Sequence, residues 1–238
     1  MKEYDIYGNT IDRRTDLEKK RDFWRIIAYI IVILNVLAIL STPILIYIVN
    51  AASETIMAKP IIYLYPEQDK NIVVSLENPE KITCSYPDYN NGWNVIAKQD
   101  GTLIDLNTNR ELYALYWEGK GTIKAKDKKG FVVKGEDTAK FLEEKLEILG
   151  LNAKEKQEFI IYWLPKMQDN TYNYIRFATI EEINEYMPLE FSEKPDSLIR
   201  VYMQFKALDK YEDVVIQELK SPERVGFVAV EWGGTELK

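Results

Sequence analysis

Residues 26–49 read IIAYIIVILNVLAILSTPILIYIV, 24 positions without a charged side chain. As an α-helix rising 1.5 Å per residue the stretch is about 36 Å long, enough to cross a ~30 Å hydrocarbon core with some tilt. Sixteen of the 24 are Ile, Leu or Val. At about −0.5 kcal/mol each, these favour insertion by roughly 8 kcal/mol before polar costs. Asn35, Ser41 and Thr42 subtract from that figure, and Pro43 stands near one end, where a missing backbone donor is tolerated. The stretch therefore reads as a single transmembrane helix over 26–49. It separates a charged tail (1–25) from a short linker (50–59) and a larger domain (60–238).

The flanks set a direction. Arg13, Arg14, Lys19, Lys20, Arg21 and Arg25 precede the span, whereas Lys59 and Lys70 are the nearest cations after it. Positive charge stays on the cytoplasmic side, so the tail is expected in the cytoplasm and the domain outside. Trp24 and Tyr47 are placed as interfacial anchors. Val49-Asn50-Ala51 offers a small-residue cleavage site, which keeps a secreted form as the alternative, although the apolar segment is longer than the 7–15 residues usual in a signal peptide. No cysteine follows the span at a distance suited to lipoprotein processing. Asn35 reads as a tolerated lone amide, with pairing across a helix dimer as the alternative.

Beyond the span the chain is acidic, with 24 Lys/Arg against 32 Asp/Glu. Phosphate backbones demand concentrated positive charge, so a nucleic-acid partner is not expected. The densest basic stretch, Lys124 to Lys129, is interrupted by Asp127 and reads as a solvated turn. There is no histidine, which removes Ser-His and Cys-His catalysis and imidazole ligation of a metal. The single cysteine, Cys84, has no partner for an intrachain disulfide. In KITCSYP it alternates with Ile82 and Tyr86, and the expectation is a buried core thiol. About 180 residues can hold themselves together without cross-links.

Period-two alternation and β-branched runs predict strands at Ile61–Tyr65, Ile72–Leu76, Ile82–Tyr86, Trp93–Lys98, Thr102–Asp105 and Leu112–Trp117. Gln99-Asp100-Gly101 and Asn90-Asn91-Gly92 are turn signals. Asp137 is an expected N-cap for a helix over Thr138–Leu149, with Leu142, Leu146 and Leu149 on one face and Gly150 closing it. Asn152 and Glu155 have the spacing of a capping box and open a second, shorter helix. The run Phe159–Leu164, six β-formers before a proline, is read as a strand, and Tyr172–Ala178 as its partner across a turn at Gln168-Asp169-Asn170. Further strands are expected at Leu198–Leu208, Val214–Leu219 and Val225–Glu231, with a brief helical turn at Glu181–Tyr186. Strands, then two helices, then strands indicate an α+β domain of mostly antiparallel β structure: two packed sheets with a two-helix insert. Two subdomains divided near residue 136 are the alternative.

Six stretches carry a resemblance: KPIIYLYP (59–66), YPDYNNGWNV (86–95), LYWEGKG (115–121), FVVKGEDTAKFLEEKLEILGL (131–151), EFIIYWLPKMQDNTYNYIRF (158–177) and GFVAVEWGGTELK (226–238). Together they resemble a family of uncharacterised bacterial envelope proteins with an N-terminal hydrophobic segment and this soluble region. The resemblance implies a bacterial envelope protein and brings with it no activity, cofactor or catalytic residue.

Three tryptophans stand in polar company: Trp93 after Asn90-Asn91-Gly92, Trp117 before Glu118-Gly119, and Trp232 between Glu231 and Gly233. Aromatic planes stack on sugar rings while carboxylates and amides hold the hydroxyls, so these three are the candidate ligand-binding residues for a cell-wall glycan. The simpler reading places them in the core. Glu118 and Glu231 are the candidate catalytic carboxylates for glycoside chemistry, which requires a separation of about 5–5.5 Å for retention or 6.5–9.5 Å for inversion. Arg176 and Arg200 lie in β-forming runs, and either, paired inside the fold, would hold such a carboxylate ionised. Gln168–Asn173 has oxygen ligands but no EF-hand spacing and reads as a hairpin turn. No phosphate-binding glycine motif, metal motif or cofactor motif is present. The expected role is a membrane-anchored, extracytoplasmic binding or interaction module whose partner is wall glycan or an envelope protein. The alternatives are a carboxylate-dependent enzyme acting on wall polysaccharide and a structural subunit of an envelope complex.

Overall fold

The computed structural model describes residues 4, 6–8, 16–52 and 56–237, with side chains omitted at 16, 44–52 and 56. The chain forms two compact units, Met1–Glu54 and Thr55–Lys238. The first is built on one helix, α1 (Asp16–Ala52), which contains the apolar span and Pro43. It is long and apolar enough to cross a membrane over Leu17–Pro43. Three polar side chains of the span are satisfied within the helix. Asn35 Nδ2 donates to the Ile31 carbonyl (2.7 Å), and the Ser41 and Thr42 hydroxyls donate to the carbonyls three residues back. Such internal bonds lower the cost of placing these groups in lipid. The side chain of Tyr47 lies outside the described residues.

The second unit is one domain with no division near residue 136. α1 ends at Ala52 and β1 (Ile56–Tyr65) begins four residues later, so much of the stretch expected as linker is regular structure. The strands that follow are β2 (Lys70–Leu76), β3 (Ile82–Tyr86), β4 (Trp93–Ala97), β5 (Leu103–Asp105), β6 (Glu111–Leu112), β7 (Leu115–Lys120) and β8 (Phe131–Lys134). Helices α2 (Thr138–Ile148) and α3 (Ala153–Trp163) intervene before β9 (Tyr172–Phe177). The chain ends with α4 (Ile180–Tyr186), β10 (Leu189–Phe191), β11 (Ser197–Leu208) and β12 (Val228–Glu236).

Seven strands form one sheet in the order β3-β7-β1-β12-β11-β9-β8, and five form another in the order β10-β2-β4-β5-β6. Within these sheets every strand pair is antiparallel except β11 with β12. The seven-stranded sheet is central. Alternate residues of β1 enter opposite cores: Ile62 and Leu64 meet the five-stranded sheet, whereas Ile61 and Tyr63 meet α2 and α3. A strand buried on both faces reads as an unbroken apolar run, which is why IIYLY shows no alternation. The predicted α+β architecture of two packed sheets with a two-helix insert is the one observed.

Several local expectations are corrected. Phe159–Leu164 is not a strand; Phe159–Trp163 is the end of α3. Asn152 caps that helix with both bonds of a capping box to Glu155, and Phe159 and Trp163, four residues apart, enter the core together while Ile161 is exposed. A secured N-terminus and an i, i+4 apolar pair outweigh β propensity. The run Leu112–Trp117 is divided between β6 and β7, which belong to different sheets. Val214–Leu219 forms no strand beyond one bridge, Ile216 to Gly130. Asp137 makes no side-chain cap for α2. Gly150 does close it, at φ +87°, with Leu151 N–H donating to the Leu146 carbonyl. Finally, Cys84 is exposed, not buried. β3 is an edge strand whose register shifts between Ile82 and Cys84, and such a bulge puts the two on opposite faces.

Candidate functional site

Even-numbered residues of β11 point at the face of the central sheet covered by α4. There Arg200, Tyr202 and Gln204 follow one another, and all three are buried. Register decides their partners. Arg200 lies opposite Glu231 on β12, and Gln204 opposite Arg176 on β9. Arg200 Nη2 approaches Glu231 Oε2 at 2.6 Å, with both side chains fully inaccessible, and Arg200 Nε donates to the same oxygen at 2.8 Å. The rest of the guanidinium donates to Asn184 Oδ1 (2.6 Å) and the Met187 carbonyl (2.9 Å). The second oxygen of Glu231 accepts from Trp117 Nε1 at 3.0 Å.

The second arginine follows the same logic. Thr179 and Glu182 form a capping box at the start of α4, and this directs Glu182 onto Arg176, which reaches both carboxylate oxygens at 2.8 and 3.0 Å. Arg176 also donates to Gln204 Oε1, and Gln204 Nε2 donates to the Ile123 carbonyl at 2.8 Å. Lys126 N–H completes Glu182 at 2.6 Å. Burial pushes the Glu182 carboxyl upward, but Lys126 N–H, Arg176 and Thr179 N–H together outweigh it and hold it below the usual carboxylate range. Tyr202 lies beside Gly233, where an added Cβ would come within 2.9 Å of its hydroxyl. That hydroxyl is buried without a hydrogen-bond partner, and burial, then the charge of Glu231, keeps it protonated far above ordinary tyrosine values.

The cluster therefore pins α4 and residues 122–126 to the sheet. Each of its carboxylates is matched to an arginine, which makes it an ionic clamp. Glu118 does not join it. Partners Ile62 and Leu115 share the face that carries Glu231, so Glu118, three residues beyond Leu115, lies on the opposite face. There it accepts from Lys59 N–H at 3.4 Å. Burial and a hydrogen bond to Glu118 raise the Tyr116 hydroxyl above its usual range. With a sheet between them, Glu118 and Glu231 do not flank a common substrate position.

The tryptophans are likewise taken up by the fold. Trp93, Trp117 and Trp232 are 1%, 0% and 0% exposed. Trp93 donates to the Pro87 carbonyl (2.8 Å) and meets Tyr89 edge-on. Trp117 shares that core, whereas Trp232 lies in the other, donating to the Tyr63 hydroxyl at 3.2 Å. No ring face is open for stacking on a sugar. Trp232 is also mid-strand, since β12 runs to Glu236; the polar letters around it are a buried carboxylate and two glycines packed against Tyr202 and Trp163. Among the described residues no group of three or more Asp, Glu, Cys or His side chains could hold a metal.

Glu182, Gln204 and Asn184 were not singled out in the sequence. Thr179-x-x-Glu182 was legible as a capping box, and the polar row 200, 202, 204 was legible as one face of a strand. Their joining depends on register across distant segments.

No family model matches this chain, and no solved structure matches it. Among curated proteins it is similar to the "Uncharacterized protein in bglA 3'region" of Butyrivibrio fibrisolvens. The two are 38% identical over 64 residues, which is 26% of this chain and 65% of that protein. The likeness carries no activity, cofactor or site residue.

Proposed function

We propose that this chain is a single-pass protein of the bacterial envelope whose β-rich domain, held outside the cytoplasmic membrane, works as an interaction module through contacts with another envelope protein. The observation that carries the reading is the pairing of Arg200 with Glu231 at zero exposure. The residues best suited to chemistry are committed to holding the fold, which supports a binding role over an enzymatic one. The apolar α1 and the charge bias ahead of it support the tether and its direction. Burial of Trp93, Trp117 and Trp232 favours a protein partner over a glycan.

The test uses the full chain in detergent, cross-linked in solubilised bacterial envelope and, separately, sedimented with purified peptidoglycan. A discrete cross-linked envelope protein with no co-sedimentation is the expected result. Retention on peptidoglycan alone would replace the proposal with glycan binding, and retention on neither would end it.

A further inference from the structure

β11 is twelve residues long, but β9 pairs only with its second half, from Met203 onward. The ladder ends where Ala178 N–H donates to the Tyr202 carbonyl (2.8 Å) and the chain turns away into α4. At the start of β11, Ser197 N–H is directed at the Phe227 carbonyl beside β12. In an extended strand successive residues face opposite neighbours, so the N–H and C=O of Leu198 and Arg200 face the side β9 has left. Among the described residues neither has a backbone partner there.

The gap is framed by the segment 217–222. Upstream, the Gln217 amide accepts from Phe177 N–H (2.9 Å) and donates to the Phe177 carbonyl (2.6 Å), taking the place of a strand residue. Downstream, Arg224 donates to the Gly150 carbonyl and to Glu155, and Val225 exchanges two 3.0 Å bonds with the Ser197 hydroxyl. Fixed at both ends, the segment stands off from β11 and leaves a cleft of about 400 Å³. Its walls include Leu149, Ala178, Ile180, Leu198, Leu219 and Pro222. The one cation of the inner wall, Arg200, has its guanidinium spent on Glu231, Asn184 and Met187. Glu181, Glu218 and Lys220, all exposed, also line the cleft, so it is the inner wall along β11 that has no unmet charge. What it offers is main-chain donors and acceptors at strand spacing between apolar walls.

We infer that this cleft binds an extended peptide segment of a partner protein, apolar where it faces the inner wall, which adds as a short strand to the Leu198–Arg200 edge. Three residues at about 3.3 Å each match the open length of β11. Strand addition of this kind takes its affinity from backbone bonds and its specificity from pockets for alternate side chains. The inference deepens the interaction-module reading and rests on it.

The test selects displayed random heptapeptides on the full chain in phospholipid nanodiscs, with counter-selection on Ser221→Trp, a change at an exposed rim position that fills the slot. Hydrogen exchange of the free protein should show the Leu198 and Arg200 amides at least about a hundredfold faster than Ile199. Selected peptides should slow those two amides. N-methylation of two alternate peptide amides should weaken binding about tenfold or more, because it removes the donors while keeping the side chains. Amides already as slow as Ile199, no peptide that the variant loses, or full tolerance of N-methylation would each overturn the inference. An envelope partner that still cross-links to Ser221→Trp would remove this site and leave the interaction reading standing.

Discussion

Arg200 and Glu231 face each other across the parallel pairing of β11 with β12, 2.6 Å apart and both sealed from solvent. A buried pair of this kind contributes little net stability over an apolar pair, yet losing one member strands the other charge. Glu231→Leu is therefore expected to cost about 3–5 kcal/mol in a urea titration. Arg200→Met with Glu231→Leu should cost less than either single change, although Trp117 and Asn184 then lack a partner. A double variant as damaged as the sum of the two would show that the pair is not coupled.

The second clamp titrates. A carboxyl held below its unfolded range, as Glu182 is, contributes stability that is complete above the unfolded value of about 4.3 and fades as pH falls through the folded value. Wild-type stability should fall from pH 4.5 to pH 3, in part through this group. Glu182→Gln should be less stable at pH 7, because Arg176 then remains buried and unmatched, and its decline over that acid range should be shallower. Urea midpoints at pH 7, 4.5 and 3 check both signs. Parallel curves for the two proteins would count against the assignment.

These clamps also mark how far the sequence could be read. Strands with one face in a core were legible by alternation: Ile72–Leu76 and Trp93–Ala97 bury every second residue. The turn at Gly101, φ +86°, was legible because only glycine adopts that conformation freely. EFIIYWLP was misread because propensity is local, whereas the Asn152 cap and the core contacts of Phe159 and Trp163 decide its state. The site was legible only in part. Arg200 was visible as a charge in a strand, but its partner lies 31 residues away across a parallel pairing that no local pattern encodes. Polar letters beside Trp117 and Trp232 suggested an open surface because burial depends on the second sheet and on the α2–α3 layer, which period-two patterns do not report.

Glycines in β12 allow the closest approach between that strand and its neighbours. A Cβ at Gly234 would stand 2.7 Å from both the Met203 carbonyl and the Trp163 ring, distances at which the backbone itself must move. Gly234→Ala should destabilise the domain by about 1–3 kcal/mol or more through overpacking. The same change at Gly92, where the nearest atom is 3.4 Å away, should act only through its φ of +135° and spare the core. Near-UV circular dichroism of the tryptophans separates the two, with Gly234→Ala altered and Gly92→Ala close to wild type.

Cys84 turns the direction of the chain into a measurement. It is the only cysteine and is exposed on the edge strand β3, so a maleimide that cannot cross membranes reports the side on which the domain lies. If the positive flank before residue 26 sets the orientation, intact spheroplasts expressing the full chain should label as fully as detergent-opened ones, and Cys84→Ser should not label in either. Alkaline carbonate extraction of the same cells should leave the labelled chain in the membrane pellet, because a helix with sixteen Ile, Leu or Val residues over 26–49 partitions into lipid regardless of surface charge. Labelling only after opening would place the domain in the cytoplasm. Labelled protein in the medium or the carbonate supernatant would instead mark cleavage after the span.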